Sequence, residues 1–459
     1  MTGLKGRWQS TDGSLLHSML TFALPIMAMN LLQLLFNAAD MVVVGRFDGS
    51  AALAAVGATG SLINLIVNLF MGLSVGTSVV VARDYGARKV EAIRQSVHTS
   101  IAVSLVGGAI ATTIGLLFCA PLLRWMGTPE DILSAATLYM RILFAGMPAS
   151  MVYNFGAAIL RAVGDSKRPM YFLVVSGAVN VVLNLIFVAV LRLGVAGVAW
   201  ATIISQYLAM GLIMASLMKN EGPLRFNWRR LRIHGLKLAQ ILKIGVPAGL
   251  QSVLFSISNV LIQSAVNSFG TTMVAANAAA SNVEGLVSTT MNSYYQAAIT
   301  FTGQSVGAED YDRIDVIAKI STGLIFGTWI VVGGLVLFFG RPLLAIYTAD
   351  PAVIDLGMLR MKVMMAVYFT CGIMNVFPGL TRAMGYSVLP MLSTLVGACL
   401  MRIVWLATVF KWYPTEFVLF AVYPVTWALA GLGQVASFFY ARSQIRRRAS
   451  AARHSEAVV

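Results

Sequence analysis

Long apolar runs separated by short polar breaks fill the chain from about residue 16 to residue 440. Each run reaches roughly 20 residues or more, the length that carries a helix across the hydrocarbon of a bilayer. The pattern predicts twelve spans, at 16–44, 53–82, 95–119, 135–160, 169–191, 196–218, 240–268, 274–302, 317–339, 357–381, 390–410 and 416–440. Backbone amides inside lipid must be satisfied within their own segment, so the spans are read as helices. The breaks follow one another too regularly to admit a soluble domain.

Polar residues inside these runs recur at helical spacing. The first span carries Asn30, Gln33, Asn37 and Asp40 at intervals of three, four and three, which places all four on one face. The eighth carries Asn277, Ser281, Glu284, Ser288 and Tyr295 in one stripe, with Asn292 near its edge. Ser176, Asn180 and Asn184 lie four apart in the fifth span, and Thr202, Ser205 and Gln206 mark the sixth. Lipid offers such faces no partners, so they must turn toward protein or water.

The chain also repeats itself. A shift of 221 or 222 residues lays Leu24-Pro25 on Val246-Pro247, Asn37 on Asn259, and Gly86-Ala87 on Gly307-Ala308. The same shift lays Arg161-Ala162-Val163-Gly164 and Pro169 on Arg382-Ala383-Met384-Gly385 and Pro390. Two six-helix halves follow. An even number of spans per half makes the repeats parallel, related by a pseudo-two-fold axis along the membrane normal. The expected organisation is an N-lobe at 1–218, a cytoplasmic basic linker at 219–237, and a C-lobe with a basic tail at 238–459. Pro25 and Pro247, at matching places in helices one and seven, are the expected helix bends, because an interior proline removes a backbone hydrogen bond.

Composition sharpens this picture. With 58% hydrophobic and 11% charged residues, the chain lacks the charge that covers a soluble protein. A net charge of +15 would suit nucleic acid, but its distribution fits the positive-inside rule better. Of 33 basic residues, 24 fall on one side, from Lys5 and Arg7 through the linker cluster Arg229-Arg230-Leu231-Arg232 to Arg453, and five on the other. No nucleic-acid partner is expected, and both termini are read as cytoplasmic. The linker reads as lying on anionic headgroups with Trp228 at the interface, although topology alone requires such a cluster. The first run is too long for a signal-peptide core and is read as a retained helix.

Candidate chemistry is sparse. Cys119, Cys371 and Cys399 lie in apolar spans without disulfide or metal spacing. The four histidines fall at helix ends, in a loop and in the tail. There is no Walker lysine motif and no H-E-x-x-H, so neither ATP hydrolysis nor zinc chemistry is expected and the chain is read as no enzyme. Of 18 acids, only Asp40 and Glu284 sit well inside spans. A carboxylate at mid-membrane costs about 2.5–3.5 kcal/mol on insertion scales. An amide would tie helices together without that cost, so an acid there points to exchange of a proton, a metal cation or an organic cation. For Asn180, Asn184 and Thr202 taken alone, helix-to-helix hydrogen bonding explains the residues as well. Arg402 is the remaining base that looks buried in a cleft.

These motifs resemble the multidrug and toxic compound extrusion (MATE) family over nearly the whole chain. The residues that carry the resemblance are Leu24-Pro25 with Asn37 and Asp40, Leu160-Arg161-Ala162-Val163-Gly164-Asp165, Asn180 with Asn184, and Gly194-Val195-Ala196-Gly197-Val198-Ala199-Trp200-Ala201-Thr202. Gly245-Val246-Pro247 and Thr381-Arg382-Ala383-Met384-Gly385 repeat the pattern in the second half. The resemblance implies export of cationic, amphiphilic compounds in exchange for protons or sodium. It also implies an N-lobe ion site at Asp40, Asn180, Asn184 and Thr202. The second helix-five position is often Asp in that family and is Asn184 here. Another branch places a glutamate where this chain has Phe255, and Glu284 is expected to substitute for it.

The sequence therefore predicts an all-α integral membrane protein of twelve transmembrane helices in two six-helix bundles around a central cleft. It is expected to be a bacterial inner-membrane antiporter working by alternating access, without cofactor, monomeric, and handling small organic cations. Asp40 is the expected switch, with the proton favoured and sodium the alternative. Gln33, Asn37, Glu284, Asn292, Tyr295 and Arg402 are the substrate-cleft candidates. The alternatives are a lipid-linked precursor flippase of the same superfamily and an integral-membrane transferase. The first usually has more helices and more cleft arginines, and the second needs clustered loop acids.

Overall fold

The structure, a computed structural model, describes residues 12–457. Lys5 and Arg7, and the side chains of Arg453 and His454, lie outside the described residues. All regular elements among the described residues are helical. The first half holds α1 (Asp12–Phe47), α2 (Gly49–Gly86), α3 (Val90–Trp125), α4 (Glu130–Ala145), α5 (Met147–Ala162), α6 (Lys167–Asn184) and α7 (Gly194–Met218). The second holds α8 (Gly235–Asn267), α9 (Thr271–Gly307), α10 (Tyr311–Thr328), α11 (Gly334–Phe338), α12 (Gly340–Ala345), α13 (Pro351–Met365) and α14 (Tyr368–Ala383). It closes with α15 (Val388–Thr394), α16 (Met401–Ala407), α17 (Val409–Trp412) and α18 (Glu416–Ala457). π-helical stretches extend α6 over Leu185–Val190, join α10 to α11, and join α15 to α16.

Each of the twelve predicted spans finds its helix. Among the described residues, nine helical stretches are long and apolar enough to cross a membrane, and two bent pairs raise the number to eleven. The twelfth is α9, whose 37 residues give ample length. Its stripe of Asn277, Ser281, Glu284 and Ser288 is what makes it less apolar than the others. The bent pairs are α4–α5, at 45°, and α13–α14, at 56°. The hydropathy pattern marks neither break, yet Gly146 and Val367, the breaking residues, are themselves 221 positions apart. At the first break Gly146 lets α7 close in: a Cβ there would overlap the Ile203 side chain. Pro148, in the first turn of α5, restarts the helix where its missing N–H costs nothing.

The chain forms two compact units, Ala28–Gly249, and Met1–Met27 with Leu250–Val459. Their bounds fall inside α1 and α8, two residues beyond Pro25 and Pro247. Both helices run on through their prolines.

In the unit Ala28–Gly249, Val81, Val97, Ile101, Leu160, Ile213 and Leu217 form the main apolar core. The start of α8 lies against α2 through two facing Gly-x-x-x-Gly pairs, Gly72/Gly76 and Gly245/Gly249. A Cβ on Gly72 would overlap the Gly249 nitrogen, and one on Gly76 the Ile241 carbonyl oxygen. Small residues of this kind let membrane helices touch backbone to backbone. Gly72-Leu73-Ser74-Val75-Gly76 also spells the pattern of a serine-hydrolase elbow. It lies within α2, where the Ser74 hydroxyl donates to the Met71 carbonyl at 2.7 Å. Lys237 Nζ caps the contact with an ion pair to Asp84 Oδ2 at 2.6 Å.

The linker is folded onto this unit. Phe226 is buried and stacks on the His98 ring at 5.1 Å, and Trp228 meets Phe226 edge-on at 4.9 Å. The Asn227 amide N–H donates to His98 Nε2 at 3.2 Å, while His98 Nδ1 donates to the Arg94 carbonyl at 2.8 Å. That pattern fixes the neutral tautomer with its proton on Nδ1. Arg225, Arg229, Arg230 and Arg232 remain exposed beside Trp228.

In the other unit, Ile262, Val266, Met273, Leu419, Phe420 and Val422 pack together. Ile262, the repeat counterpart of Asp40, is thus an ordinary core residue. Arg442 and Arg446 of α18 pair with Asp312 and Asp315 at the start of α10.

Candidate functional site

The candidate site lies in the unit Ala28–Gly249. Gly177 on α6 decides how closely α1 approaches, since a Cβ there would overlap the Phe36 ring. With Phe36 seated on that glycine, Asp40, about one turn further along α1, reaches the end of α6. There the Asn184 Nδ2 donates to Asp40 Oδ1. Asn184 is fully buried and its Nδ2 also donates to Asn180 Oδ1 at 3.3 Å. Asn180 Nδ2 in turn points at Thr202 Oγ1 at 3.5 Å, and that hydroxyl donates to the Val198 carbonyl at 2.9 Å.

The four residues expected to act together therefore form one chain, Asp40–Asn184–Asn180–Thr202. Asn184 spends its amide N–H groups on the two acceptors, and its Oδ1 has no hydrogen-bond partner among the described residues. Leaving a buried carbonyl oxygen unsatisfied costs about 1–3 kcal/mol.

Two cavities meet at this chain. One, of about 150 Å³, is lined by Gln33, Asn37, Asp40, Asn180 and Thr202, with Ser150, Tyr153 and Asn154 of α5. The other, of about 470 Å³, shares Asn37, Asp40, Ser150, Thr202 and Gln206 and extends along Ile63, Val67, Leu143 and Phe144. A small polar recess thus opens beside a larger apolar one, the combination that suits an ion and an amphiphile. Ser150, Tyr153 and Asn154 join the site from the structure alone. Their spacing of three and one on α5 is a weak signal beside the longer stripes of α1 and α9.

The remaining candidates lie in the other unit, in different surroundings. Glu284 is buried, and both carboxylate oxygens accept from Arg360, at 3.1 Å from Nε and 2.8 Å from Nη2. Arg360 Nη1 donates to Asn277 on the same face of α9. The expectation of a Glu284 carboxylate open to a cationic substrate is corrected by this partner: its charge is already matched. Arg360 escapes a reading of the sequence because it falls at the edge of the span predicted at 357–381.

Tyr295 accepts from Arg382 Nη1 at 2.6 Å, and Asn292 is exposed on α9. Arg382 and its repeat partner Arg161 count by sequence among the charges of the cytoplasmic side, but both are buried at helix ends. Arg402 is buried as expected, with Nη1 donating to Ser258 and to Asn259, each at 2.7 Å. Phe255, at the position of the alternative glutamate, lies under the Arg402 guanidinium at 4.8 Å. Among the described residues, no group of three or more His, Cys, Asp and Glu could hold a metal ion.

Twelve membrane helices in two repeated halves, with a half-buried acid at the meeting of an ion-sized and an organic-sized cavity, define a polytopic membrane transporter. The family description MatE matches residues 25–186 and again residues 247–407, one match per half, beginning at Pro25 and at Pro247. The chain belongs to the MatE family, as its motifs implied.

Its relatives include the probable multidrug resistance protein YoeA of Bacillus subtilis, 30% identical over 81% of this chain and 82% of that protein. The probable multidrug resistance protein NorM of Thermotoga maritima is 24% identical over 92% of this chain and 89% of its own length. Among solved structures, the Vibrio cholerae MATE transporter VcmN in its bent form superposes with a TM-score of 0.87 at 23% identity, covering 95% of this chain and 98% of that one. A MATE protein in the bent conformation gives 0.84 at 24% identity, over 96% and 99%.

Proposed function

We propose that the protein exports cationic, amphiphilic organic compounds across the bacterial inner membrane by antiport, with both termini cytoplasmic and Asp40 as the ion switch. The names of its relatives support the multidrug reading, and the Asp40–Asn184–Asn180–Thr202 chain beside the two cavities supports the role of Asp40. That chain is the observation that carries the proposal.

The arrangement favours a proton over sodium as the exchanged ion. A sodium site needs several oxygens aimed at one point. Here Asn180 Oδ1 and Asp40 Oδ1 are both engaged by the Asn184 amide hydrogens. Such a carboxylate is held as an acceptor. On protonation Asp40 becomes a donor, and the Asn184 amide can turn to offer its unpartnered Oδ1. Proton arrival would thereby rearrange α1 against α6, with Pro25 as the bend, and weaken the organic cation in the adjoining cavity. Mutual weakening of two ligands is a coupling free energy, and it acts equally in both directions.

The test is Asp40→Asn in proteoliposomes with an imposed proton or sodium gradient and a fluorescent cation such as ethidium. The variant should fold and reach the membrane yet lose gradient-driven efflux. Full efflux at wild-type expression would overturn the proposal.

A further inference from the structure

Around Tyr423, the unit Met1–Met27 with Leu250–Val459 buries two guanidinium groups, and the buried acid beside them, Glu284, matches only one. Arg360 is 4% exposed and grips Glu284 along its Nε–Nη2 edge, one nitrogen to each carboxylate oxygen. Arg402 is 0% exposed, and the same edge, Nε and Nη2, has no hydrogen-bond partner among the described residues. Its Nη1 is spent on two neutral acceptors, Ser258 and Asn259. Both guanidinium carbons lie near the ring of Tyr423, Arg360 at 5.0 Å and Arg402 at 5.2 Å. Phe255 flanks Arg402 and Phe420 flanks Arg360, at 4.8 and 5.8 Å.

A desolvated guanidinium without a counter-charge is expensive, and its side edge is a fork that matches the two oxygens of a carboxylate or phosphate. Arg360 shows that fork filled by a carboxylate within the same cluster. We propose that the Nε–Nη2 edge of Arg402 is a binding site for an oxyanion, a carboxylate or phosphate group carried on an aromatic or apolar body that packs against Tyr423 and Phe255. The proposal does not depend on ion coupling at Asp40, which lies in the other unit. It makes the two halves opposite in charge preference, with a carboxylate switch in one and a guanidinium receptor in the other.

The test uses the full-length protein in nanodiscs, with radiolabelled benzoate and phenylphosphate as probes in equilibrium binding at fixed ionic strength. Wild-type protein should take up one probe per chain, saturably. Arg402→Lys keeps the charge but loses the fork and should weaken binding at least tenfold. Arg341→Lys, at an exposed base of the same unit outside the cluster, should bind within about twofold of wild type. Absence of saturable binding to wild-type protein would overturn the proposal, as would equal binding by Arg402→Lys or displacement by chloride at lower concentration than by either probe. The wild-type stoichiometry is read first, so a variant that fails to fold leaves the test standing. Counterflow of labelled benzoate in proteoliposomes then separates an anionic group of the cargo, which exchanges across the membrane, from a resident free anion, which binds without exchange. Either source meets the proposal.

Discussion

The side-chain amide of Asn184 is a double donor, to the Asp40 carboxylate and to the Asn180 carbonyl oxygen. Asp at this position would oppose Asp40 with a second carboxylate and supply oxygens in place of N–H donors. Two carboxylates that close must share a proton or hold a cation between them, and the added oxygens suit a cation. Asn184→Asp is therefore expected to gain stimulation of efflux by a sodium gradient and to lose at least tenfold of its proton-driven rate. Parallel proteoliposome assays with each gradient read both outcomes, and a variant indifferent to sodium would count against the account of the site.

Glu284 and Arg360 are buried together, and removing either partner leaves a charge with none. Breaking such a pair costs about 3–5 kcal/mol, whereas replacing both partners with apolar residues is often close to neutral. Glu284→Gln and Arg360→Met should each lower the unfolding temperature clearly, and the double variant should be more stable than the sum of the singles predicts. Thermal unfolding of the four proteins in one detergent measures the coupling. Additive losses would show that the pair is not what stabilises α9 against α13.

Gly76 and Gly211 offer a matched comparison within one unit. A Cβ at Gly76 would overlap the Ile241 carbonyl oxygen, whereas one at Gly211 finds nothing within 4 Å. Gly76→Ala should sharply reduce the yield of monodisperse protein in fluorescence-detected size exclusion. Gly211→Ala should leave the yield unchanged or raise it slightly, since alanine favours helix by about 1 kcal/mol.

His98 holds the linker both by stacking and by accepting a backbone hydrogen bond. Phenylalanine keeps the stack and removes the acceptor, while alanine removes both. Limited digestion with trypsin, which cuts after the exposed Arg225, Arg229 and Arg230, should proceed fastest in His98→Ala, more slowly in His98→Phe and slowest in wild type. Equal rates in all three would mean the linker is held elsewhere.

Much of this molecule is legible in its sequence, because bilayer thickness and helical periodicity act locally. Each span is long enough to announce itself, and one shift aligns both halves. The Asp40 site is legible for a related reason, since Asn180 and Asn184 share one helix face and the family motif supplies Thr202. Side-chain partnership between distant helices is not legible. Glu284 and Arg360 are 76 residues apart, and periodicity tells which way each points but not which helices are neighbours. The burial of Arg161 and Arg382 is not legible either, because a base at a helix end is normally drawn to the interface, and here the protein covers it. The breaks at Gly146 and Val367 escape because a bent span has the same length and hydropathy as a straight one.

The unit bounds inside α1 and α8 bear on how the duplicated chain could have arisen. A six-helix ancestor corresponding to either half would have lacked the start of its own first helix's partner unit and supplied that piece to its neighbour instead. Such a chain would complete its fold only by exchanging segments with a second copy, as a segment-swapped dimer whose exchange a gene fusion would make permanent. For the same reason, present-day fragments cut at the linker should be recovered folded only when both are produced in one cell.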